Sequence, residues 1–491
     1  MKIRAEKGDI EKVQCDLLIV GMFDSESNRF TTKLDERLNS ELAAAMKRKE
    51  FTGEAGQLKM IASLGKLPAQ KVLVVGLGKK ADYKIENLRR AAASAIRVAQ
   101  SANARKTITA LHHLECEKAD EAERITALLE GSLLGSYQFN QFKTDDKEKE
   151  KRVDDLIVLT DQPPAAEKAI KKAEIICTAA LHVRDMVNLP SNIVTPSWLA
   201  DEAAKLKKLG VKVTVYGKEE LKKMNFNALL AVSQGSVLEP KFVVMEHGSG
   251  KEPVAFVGKG ITFDSGGLDI KPAKGMEDMK MDKAGAATVI GLMEAVAQLK
   301  MPQHIICAFP TCENMPSGTA YRPGDIIKGY NKKTIEMMNT DAEGRMVLSD
   351  ALSYVEKEFA PSAIIDLATL TGACVVALGY WATGLFTTDD KLFETLKAAG
   401  KETGERVWRL PLWDEYKDNL KTDVADIRSV GRSYDAGAIE GATFLKNFIE
   451  KTPWVHLDIA GTAWMPESKF YFSRGATGNG VRLLVKWLEK R

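Results

Sequence analysis

Acidic side chains occur in three short strings in the second half of this 491-residue chain. Asp264 lies in GKGITFDSGG, Asp282 in MKMDKAGAA, and Asp341 and Glu343 in NTDAEGR. Four carboxylates gathered at one point would repel one another and raise each other's pKa unless cations neutralised them. Two divalent ions that share a bridging carboxylate would do so. If the fold brings these residues together, they predict a two-metal site.

The acidic strings also have structural interpretations. Asp282 precedes an apolar helical pattern and could be its N-cap, a common role for an Asp at that position. In NTDAEGR, an extended backbone would send Asp341, Glu343 and Arg345 to one side. The helical pattern that follows would place the acids at the positive end of a helix dipole. Helix capping and surface exposure would also explain these residues.

Several other catalytic sites are excluded by motif. No HExxH string occurs and the six histidines show no ligand spacing, so the chain is not a zincin. GKGITFDSGG matches neither the P-loop pattern nor GxGxxG, which excludes a nucleotide-binding loop there. Lys259 and Asp264 nevertheless lie toward the carboxyl end of a predicted strand, and ligand sites in open α/β sheets form at that end.

The ordered strings resemble the leucyl aminopeptidase (cytosol aminopeptidase, M17) family of metallopeptidases. NTDAEGRMVLSDAL is similar to the signature of that family, and GKGITFDSGG, MKMDKAGAA and DLATLTGA fall at the family's spacings. The likeness runs from about Asn188 to the C-terminus. In the N-terminal region it is limited to the α/β rhythm and the string VVGLGK. The resemblance implies a metal-dependent aminopeptidase that hydrolyses the first peptide bond of short peptides, with a leucine-like preference.

The resemblance also implies two divalent metal ions in each subunit, Mn²⁺ or Zn²⁺, with Mg²⁺ and Co²⁺ as further candidates. The implied ligands are Lys259, Asp264, Asp282 and Glu343 for a tightly held ion, and Asp264, Asp341 and Glu343 for an exchangeable one. Lys259 could bind a metal only as a neutral amine, so the ions would have to lower its pKa strongly.

Two basic residues have catalytic roles by the same resemblance. Lys271 would stay protonated and hold the oxyanion that develops on the scissile carbonyl. Arg345 would hold a bicarbonate that serves as the general base toward the attacking water. The family's substrate-binding positions correspond to Met279, Thr369, Leu370, Gly372, Ala460 and Ala463. Met279, beside an apolar helical pattern, is equally typical of a core residue.

The elements that must position these residues follow a βα rhythm, and the apolar runs beyond residue 196 are nearly continuous. Such runs indicate a sheet covered by helices on both faces. The sequence therefore predicts an α/β protein with a small N-terminal α/β domain (residues 1–160) and a linker helix (161–188). A larger three-layer α/β/α catalytic domain (189–491), with a mixed, mostly parallel sheet, follows them. Within it, Ala228–Val232 and Val254–Phe263 are each predicted as one strand. The charge run Lys143–Arg152 is predicted as a solvated loop.

Composition narrows the functional classes. The 70 Lys+Arg and 67 Asp+Glu leave a formal charge of +3, which is too even to predict a nucleic-acid or membrane-surface protein. No stretch approaches the ~18 apolar residues of a membrane span, and the six scattered cysteines include no CxxC pair. We therefore expect a cytoplasmic enzyme or binding protein without a membrane partner, and the resemblance implies a homohexamer. A DNA-binding regulatory protein and a two-metal phosphoesterase are the alternatives.

Overall fold

The computed structural model describes residues 1–116, 119–144, 151–433 and 435–491, so the middle of the charge run Lys143–Arg152 lies outside the described residues. The chain divides into two units. Unit 1 comprises Met1–Cys177 and Glu467–Ser473, and unit 2 comprises Thr178–Pro466 and Arg474–Arg491. The domain bounds inferred from the sequence stay a prediction. In the part of the chain that is described, no helix is both long and apolar enough to cross a membrane.

The described residues of unit 1 form a six-stranded sheet with helices on both faces. Its strands are β1 (Lys2–Glu6), β2 (Leu17–Met22), β3 (Leu58–Ala62), β4 (Lys71–Gly76), β5 (Lys106–Thr109) and β6 (Asp155–Leu159). Its helices are α1 (Arg29–Arg37), α2 (Glu41–Lys47), α3 (Ile85–Ser101), α4 (Glu121–Gly135) and the first part of α5 (Pro163–Asn188). The strand order is β1-β6-β5-β2-β4-β3, and only β3 is antiparallel to its neighbour.

Alternate residues of β2 enter two different cores. Leu17 and Ile19 pack in the core that contains α3 and α4 residues. Leu18 and Val20 pack in the core that contains α1 and α2 residues. Because both faces of the strand are covered, its sequence is apolar throughout instead of alternating with polar residues.

Unit 2 contains a larger mixed sheet and two small ones. The strands are β7 (Lys212–Tyr216), β8 (Lys241–His247), β9 (Val254–Gly258), β10 (Gly260–Asp264), β11 (Ile305–Asn314), β12 (Ile326–Lys328), β13 (Thr334–Glu336), β14 (Ala363–Ala368), β15 (Thr383–Phe386), β16 (Val407–Arg409), β17 (Ile427–Arg428), β18 (Trp454–Asp458), β19 (Trp464–Met465) and β20 (Gly475–Ala476). The helices are α6 (Pro196–Lys205), α7 (Lys218–Met224), α8 (Asn227–Val232), α9 (Ala273–Met276), α10 (Ala284–Leu299), α11 (Glu343–Phe359), α12 (Gly372–Leu378), α13 (Asp390–Thr403), α14 (Gly437–Lys446) and α15 (Val481–Glu489).

The large sheet has the order β16-β15-β18-β14-β9-β11-β8-β7, with β10 also paired to β11. The β15–β18, β11–β8 and β8–β7 pairs are antiparallel and the other pairs are parallel. Ala255 and Val257 of β9 pack in a core with α11 residues, whereas the Phe256 ring contacts the Trp487 ring of α15. Helices thus cover both faces, and the predicted α/β/α layering with a mostly parallel sheet is confirmed.

Two strand predictions are wrong. Ala228–Val232 lies in the helix α8, whose first N–H groups at Ala228 and Leu229 donate to the buried Asp350 carboxylate at 2.8 and 3.1 Å. A short apolar run does not distinguish a helix from a strand, and this cap from a distant residue is not visible in the local sequence. Val254–Phe263 is two strands, β9 and β10, separated at Lys259. There the Lys259 N–H donates to the Leu367 carbonyl.

Glycines let the N-terminal ends of α10 and α11 approach the sheet closely. A Cβ atom on Gly285 would lie 2.2 Å from the Leu367 carbonyl oxygen. One on Gly344 would lie 2.5 Å from Cε and 2.6 Å from Nζ of Lys259. A side chain at either position would push the helix away from the end of β9, so the glycines set how near the first turn of each helix comes to Lys259.

Gly344→Ala is therefore expected to lower the free energy of unfolding by about 1–3 kcal/mol, the usual cost of overpacking. Gly372→Ala is the control, because a Cβ there would meet no heavy atom of the described residues within 4 Å. We expect the control to change the free energy by less than about 0.5 kcal/mol. Urea unfolding of both variants measures the difference, and equal losses would contradict this steric argument.

His182 joins three helices of unit 2 through two carboxylates. Its Nδ1 lies 2.7 Å from Glu294 Oε2 of α10, and its Nε2 lies 3.6 Å from Glu202 Oε2 of α6. Interactions with the Glu202 and Glu294 carboxylates raise the pKa of His182 to about 9, against the lowering effect of burial. The folded state therefore favours the protonated imidazole.

Because the folded pKa of His182 is raised above its ordinary value of 6.5, its contribution to stability is fully present below that value. It is lost as the pH rises through about 9. His182→Gln should thus lower Tm more at about pH 6 than at about pH 10. Thermal unfolding of wild type and variant at both pH values checks this. Equal Tm differences would show that the ion pairs do not contribute to stability.

Candidate metal centre and substrate site

The four acidic residues lie on adjoining elements of unit 2. Asp264 ends β10, Asp282 lies in a 3₁₀ turn before α10, Asp341 lies in a 3₁₀ turn before α11, and Glu343 begins α11. One oxygen from each of Asp264, Asp341 and Glu343 can be chosen so that all three lie within 4.8 Å of one another. Asp264, Asp282 and Glu343 are buried. The structure thus brings three of the four together directly and connects Asp282 to them through Lys259.

Two lysines contact this carboxylate cluster. Lys259 Nζ lies 2.7 Å from both Asp282 Oδ1 and Glu343 Oε1, and it donates to the Thr369 carbonyl at 2.9 Å. Lys271 Nζ lies 2.8 Å from Asp264 Oδ2 and also contacts Asp341 Oδ1. Among the described residues, four carboxylates thus contact two ammonium groups.

Proton affinities at the cluster reflect this shortage of positive charge. Burial and repulsion by Asp264 raise the pKa values of Asp341 and Glu343 to about 7. Burial also raises the pKa of Asp282. For both lysines, burial lowers the pKa, but attraction to the carboxylates outweighs it and the pKa is raised. That direction is opposite to the one that a neutral Lys259 ligand needs, and only added cations would reverse it.

Unpaired oxygens show that the cluster fits metal ions. Asp282 Oδ2 and Glu343 Oε2 are buried and have no hydrogen-bond partner among the described residues. A buried carboxylate oxygen without a partner is costly, and a divalent cation would satisfy it. Carboxylate oxygens suit Mn²⁺ or Mg²⁺, whereas an amine ligand suits Zn²⁺. The donor set of Lys259 and four carboxylates is therefore compatible with a pair of divalent ions.

Asp341, Glu343 and Arg345 do not lie on one side of an extended segment, so that prediction is wrong. Residues 340–342 form a 3₁₀ turn and Glu343 begins α11, so residues 343 and 345 project about 200° apart around the helix. Arg345 Nη1 donates to the Ser429 carbonyl at 2.7 Å. Its buried Nε has no hydrogen-bond partner in the described part of the chain. Burial lowers the pKa of Arg345, opposed by Glu440 and Glu343.

Three of the predicted substrate-binding residues donate hydrogen bonds to two buried carboxylates, Asp282 of the cluster and Asp458. The Thr369 hydroxyl donates to Asp282 Oδ1 at 2.7 Å. The N–H groups of Leu370 and Ala460 donate to one oxygen of Asp458, at 3.3 and 3.1 Å. Asp458 ends β18, is fully buried, and also accepts a hydrogen bond from the hydroxyl of Thr371. It therefore joins the two predicted substrate segments.

Asp458 was missed by the sequence analysis. The signal was an acid at the end of the apolar run WVHLD, where a strand of a parallel sheet ends. The other three predicted substrate-binding residues also belong to unit 2. Met279 begins the turn that carries Asp282, Gly372 begins α12 and is exposed, and Ala463 is buried. Their contact with a substrate stays a prediction.

A second group of possible ligands, His112, His113 and Glu121, lies in unit 1. The centroids of the two imidazole rings lie 4.3 Å apart, and the ring planes are inclined by 32°. Burial, His113 and the Arg124 guanidinium all lower the pKa of His112. A guanidinium nearby disfavours a second cation, and we assign no metal site to this group.

Comparison with known proteins agrees with this geometry. Residues 181–485 match the family model described as "Cytosol aminopeptidase family, catalytic domain", and residues 19–146 match "Cytosol aminopeptidase family, N-terminal domain". The chain is 46% identical over 483 residues to a probable cytosol aminopeptidase of Geobacter sp. (strain M21), covering 96% of each chain. It is 43% identical to one of Roseiflexus castenholzii, covering 99% of each.

Solved structures show the same relationship. A mutant of tomato leucine aminopeptidase matches with a TM-score of 0.90 and 35% identity, covering 100% of this chain and 97% of that one. The bottromycin maturation enzyme BotP in complex with Mn matches with a TM-score of 0.87 and 31% identity, covering 97% and 99%. The resemblance seen in the sequence is thus confirmed, and the chain belongs to the cytosol aminopeptidase family of hydrolytic metallo-exopeptidases.

Proposed function

We propose that this enzyme uses two divalent ions to hydrolyse the first peptide bond of short peptides and that it prefers a leucine-like N-terminal residue. One observation carries the proposal: four carboxylates, three of them buried, converge on two lysines, with oxygens of Asp282 and Glu343 left unpaired among the described residues. This excess of negative charge suits a metal pair and would be costly without one.

We assign the ligands as the sequence resemblance implies. Asp264 and Glu343 would serve both ions, Lys259 and Asp282 the tightly held one, and Asp341 the exchangeable one. When bound, the ions would supply Lewis acidity and lower the pKa of water. Mn²⁺ and Zn²⁺ are the first candidates. The match to a manganese complex of BotP supports Mn²⁺, and the Lys259 amine supports Zn²⁺.

Lys271 is the residue assigned to the developing oxyanion. Its side chain keeps 18% of its surface exposed while it contacts Asp264 and Asp341, so its ammonium borders the centre from the accessible side. Attraction to these carboxylates raises its pKa despite burial. As an ammonium, Lys271 would stabilise negative charge on the substrate carbonyl oxygen.

Arg345 is assigned to bicarbonate, the general base of the proposal. Its guanidinium is buried, makes one hydrogen bond to the Ser429 carbonyl, and leaves Nε without a partner among the described residues. A planar guanidinium with free N–H groups suits a small planar oxyanion. No histidine joins the described contacts of the cluster, so another group has to supply the general base. Bicarbonate held by Arg345 would supply it.

The substrate backbone would lie along Thr369, Leu370 and Gly372. The first side chain would enter a pocket bordered by Met279, Ala460 and Ala463, whose apolar character supports a leucine-like preference. The likeness to tomato leucine aminopeptidase supports the same choice.

A homohexamer and a cytoplasmic location complete the proposal. α12 and the turn after it expose Val376, Tyr380 and Trp381, and Val376 is 90% exposed. Such an apolar surface is typical of a contact between subunits. All six cysteines are buried, and scattered buried thiols suit a reducing compartment.

The metal assignment can be tested by counting ions. Because Asp264 and Glu343 would bind both ions, Asp264→Ala and Glu343→Ala should lose both ions together with the activity. Asp341→Ala should lose chiefly the exchangeable ion. The measurement is the metal content of dialysed variants, with Gly372→Ala as a folded control whose metal content should not change. A full complement of two ions in Glu343→Ala would contradict the assignment.

The exopeptidase assignment can be tested with a blocked substrate. A free α-amine can bind a metal ion when it is neutral, and together with the carbonyl it would hold the first peptide bond in place. An N-acetylated leucyl peptide loses that contact and should be cleaved at least about 10³-fold more slowly, taking the contact as about 4 kcal/mol at about 1.4 kcal/mol per decade.

The comparison uses a leucyl peptide and its N-acetyl form at saturating Mn²⁺, with identification of the released residues. An aryl phosphate assayed beside them tests the phosphoesterase alternative. Comparable cleavage of the blocked peptide, or early release of an internal fragment, would overturn the proposed function.

A further inference from the structure

We propose that Asn314 is a positioning residue of the metal centre. Its side-chain amide fixes the distance between the loop that carries Asp264 and the loop that carries Asp341 and Glu343. The proposal rests on the proposed two-metal function, and it adds a residue that touches neither substrate nor metal but sets where the metal ligands lie.

The backbone of Asn314 is joined to the first loop. Asn314 is the last residue of β11, and in the parallel pairing with β10 its Cα partner is Asp264. Its carbonyl oxygen accepts hydrogen bonds from the N–H and the hydroxyl of Ser265, at 3.0 and 2.7 Å. The residue is fully buried. The position of Asn314 is therefore set by the same backbone segment that presents Asp264.

The side chain of Asn314 joins that segment to the second loop. Its Nδ2 donates to Asp264 Oδ1 at 2.8 Å and to the Thr340 carbonyl at 2.9 Å. Both partners can only accept, so the amide must direct its nitrogen toward them. Thr340 immediately precedes Asp341. One NH₂ group thus spans the two ligand-bearing loops, with both hydrogens in use.

Further hydrogen bonds around Thr340 hold the two ligand-bearing loops close together. Its hydroxyl donates to the Gly266 carbonyl at 2.6 Å, and its N–H donates to Asp269 Oδ2 at 2.7 Å. Tyr321 donates a further hydrogen bond to the Thr340 carbonyl. A Cβ on Gly267 would lie 2.8 Å from Asn314 Oδ1. The two loops are therefore joined by hydrogen bonds beside the Asn314 amide, and residue 267 has no room for a side chain.

The chemistry of the amide explains why a neutral donor suits this position. Asp264 Oδ1 accepts from Asn314 and from the Gly266 N–H at 2.9 Å, while Oδ2 contacts Lys271 at 2.8 Å. The amide thus orients the carboxylate, with Oδ2 directed toward Lys271, and adds no charge to a cluster already rich in carboxylates. An Asp at this position would add a fifth negative charge, and a Ser hydroxyl carries a single hydrogen.

The test compares Asn314→Ala and Asn314→Leu with wild type. The Leu variant keeps the side-chain volume, so it guards against collapse of the Ala variant. Asp350→Ala is the matched control, because Asp350 is also fully buried and holds backbone N–H groups of residues 228, 229 and 330, away from the carboxylate cluster. Mn²⁺ binding is followed by the EPR signal of the free ion, and peptidase activity is titrated against Mn²⁺.

Groups that orient metal ligands typically contribute 10–100-fold to affinity or activity. Both Asn314 variants should therefore shift the Mn²⁺ binding midpoint upward by about 10–100-fold, and activity should be regained as Mn²⁺ is raised. The control should lose thermal stability and keep the wild-type midpoint. A purely structural role would lower the amount of folded enzyme without moving the midpoint.

Wild-type Mn²⁺ midpoints in both Asn314 variants would overturn the assignment of Asn314 while leaving the proposed function intact. Wild-type protein that binds no Mn²⁺, or that releases no N-terminal residue, would overturn the proposed function and this proposal with it. The two failures are thus distinguished by the wild-type titration alone.

Discussion

The structure of unit 2 depends on the neutralisation of one carboxylate cluster. Four carboxylates converge on two ammonium groups in the part of the chain that the structure describes: Asp264, Asp282, Asp341 and Glu343. In a poorly solvated site such repulsion is costly, and it raises the pKa values of Asp341 and Glu343 to about 7. Lys259 and Lys271 neutralise part of the negative charge, and a pair of divalent metal ions would neutralise the rest. The fold therefore holds together carboxylates whose mutual repulsion opposes folding.

The parallel sheet provides the means of gathering these groups. The carboxyl ends of parallel strands lie at one edge, where ligand sites of open α/β sheets form. Lys259 follows β9, Asp264 ends β10, Asn314 ends β11 and Thr369 follows β14, and Asp458 ends β18. Glu343 is supplied by the N-terminal end of a helix, where the helix dipole favours a carboxylate. Small residues at 285 and 344 then let the helices approach closely enough for contact.

The site combines a buried group of residues with a more exposed one. Lys259, Asp282 and Thr369 form a buried group in which each polar contact is 2.7–2.9 Å long. Asp341 and Lys271 are more exposed. In the proposed assignment Asp341 would serve the exchangeable ion, because a ligand near solvent is more easily reached and released. Hydrogen bonds from Asn314 and around Thr340 connect the two parts.

The sequence by itself determined the family, the layered α/β class and the types of residue at the centre, because these depend on local strings and on apolar runs. Only the tertiary structure decided that Ala228–Val232 is helical, that Arg345 donates to the Ser429 carbonyl, and that Asp458 and Asn314 join separate loops. The physical reason is that each of these features is set by a contact between residues distant in sequence. A helix cap from Asp350 or an amide shared by two loops leaves no periodicity in the chain that makes it.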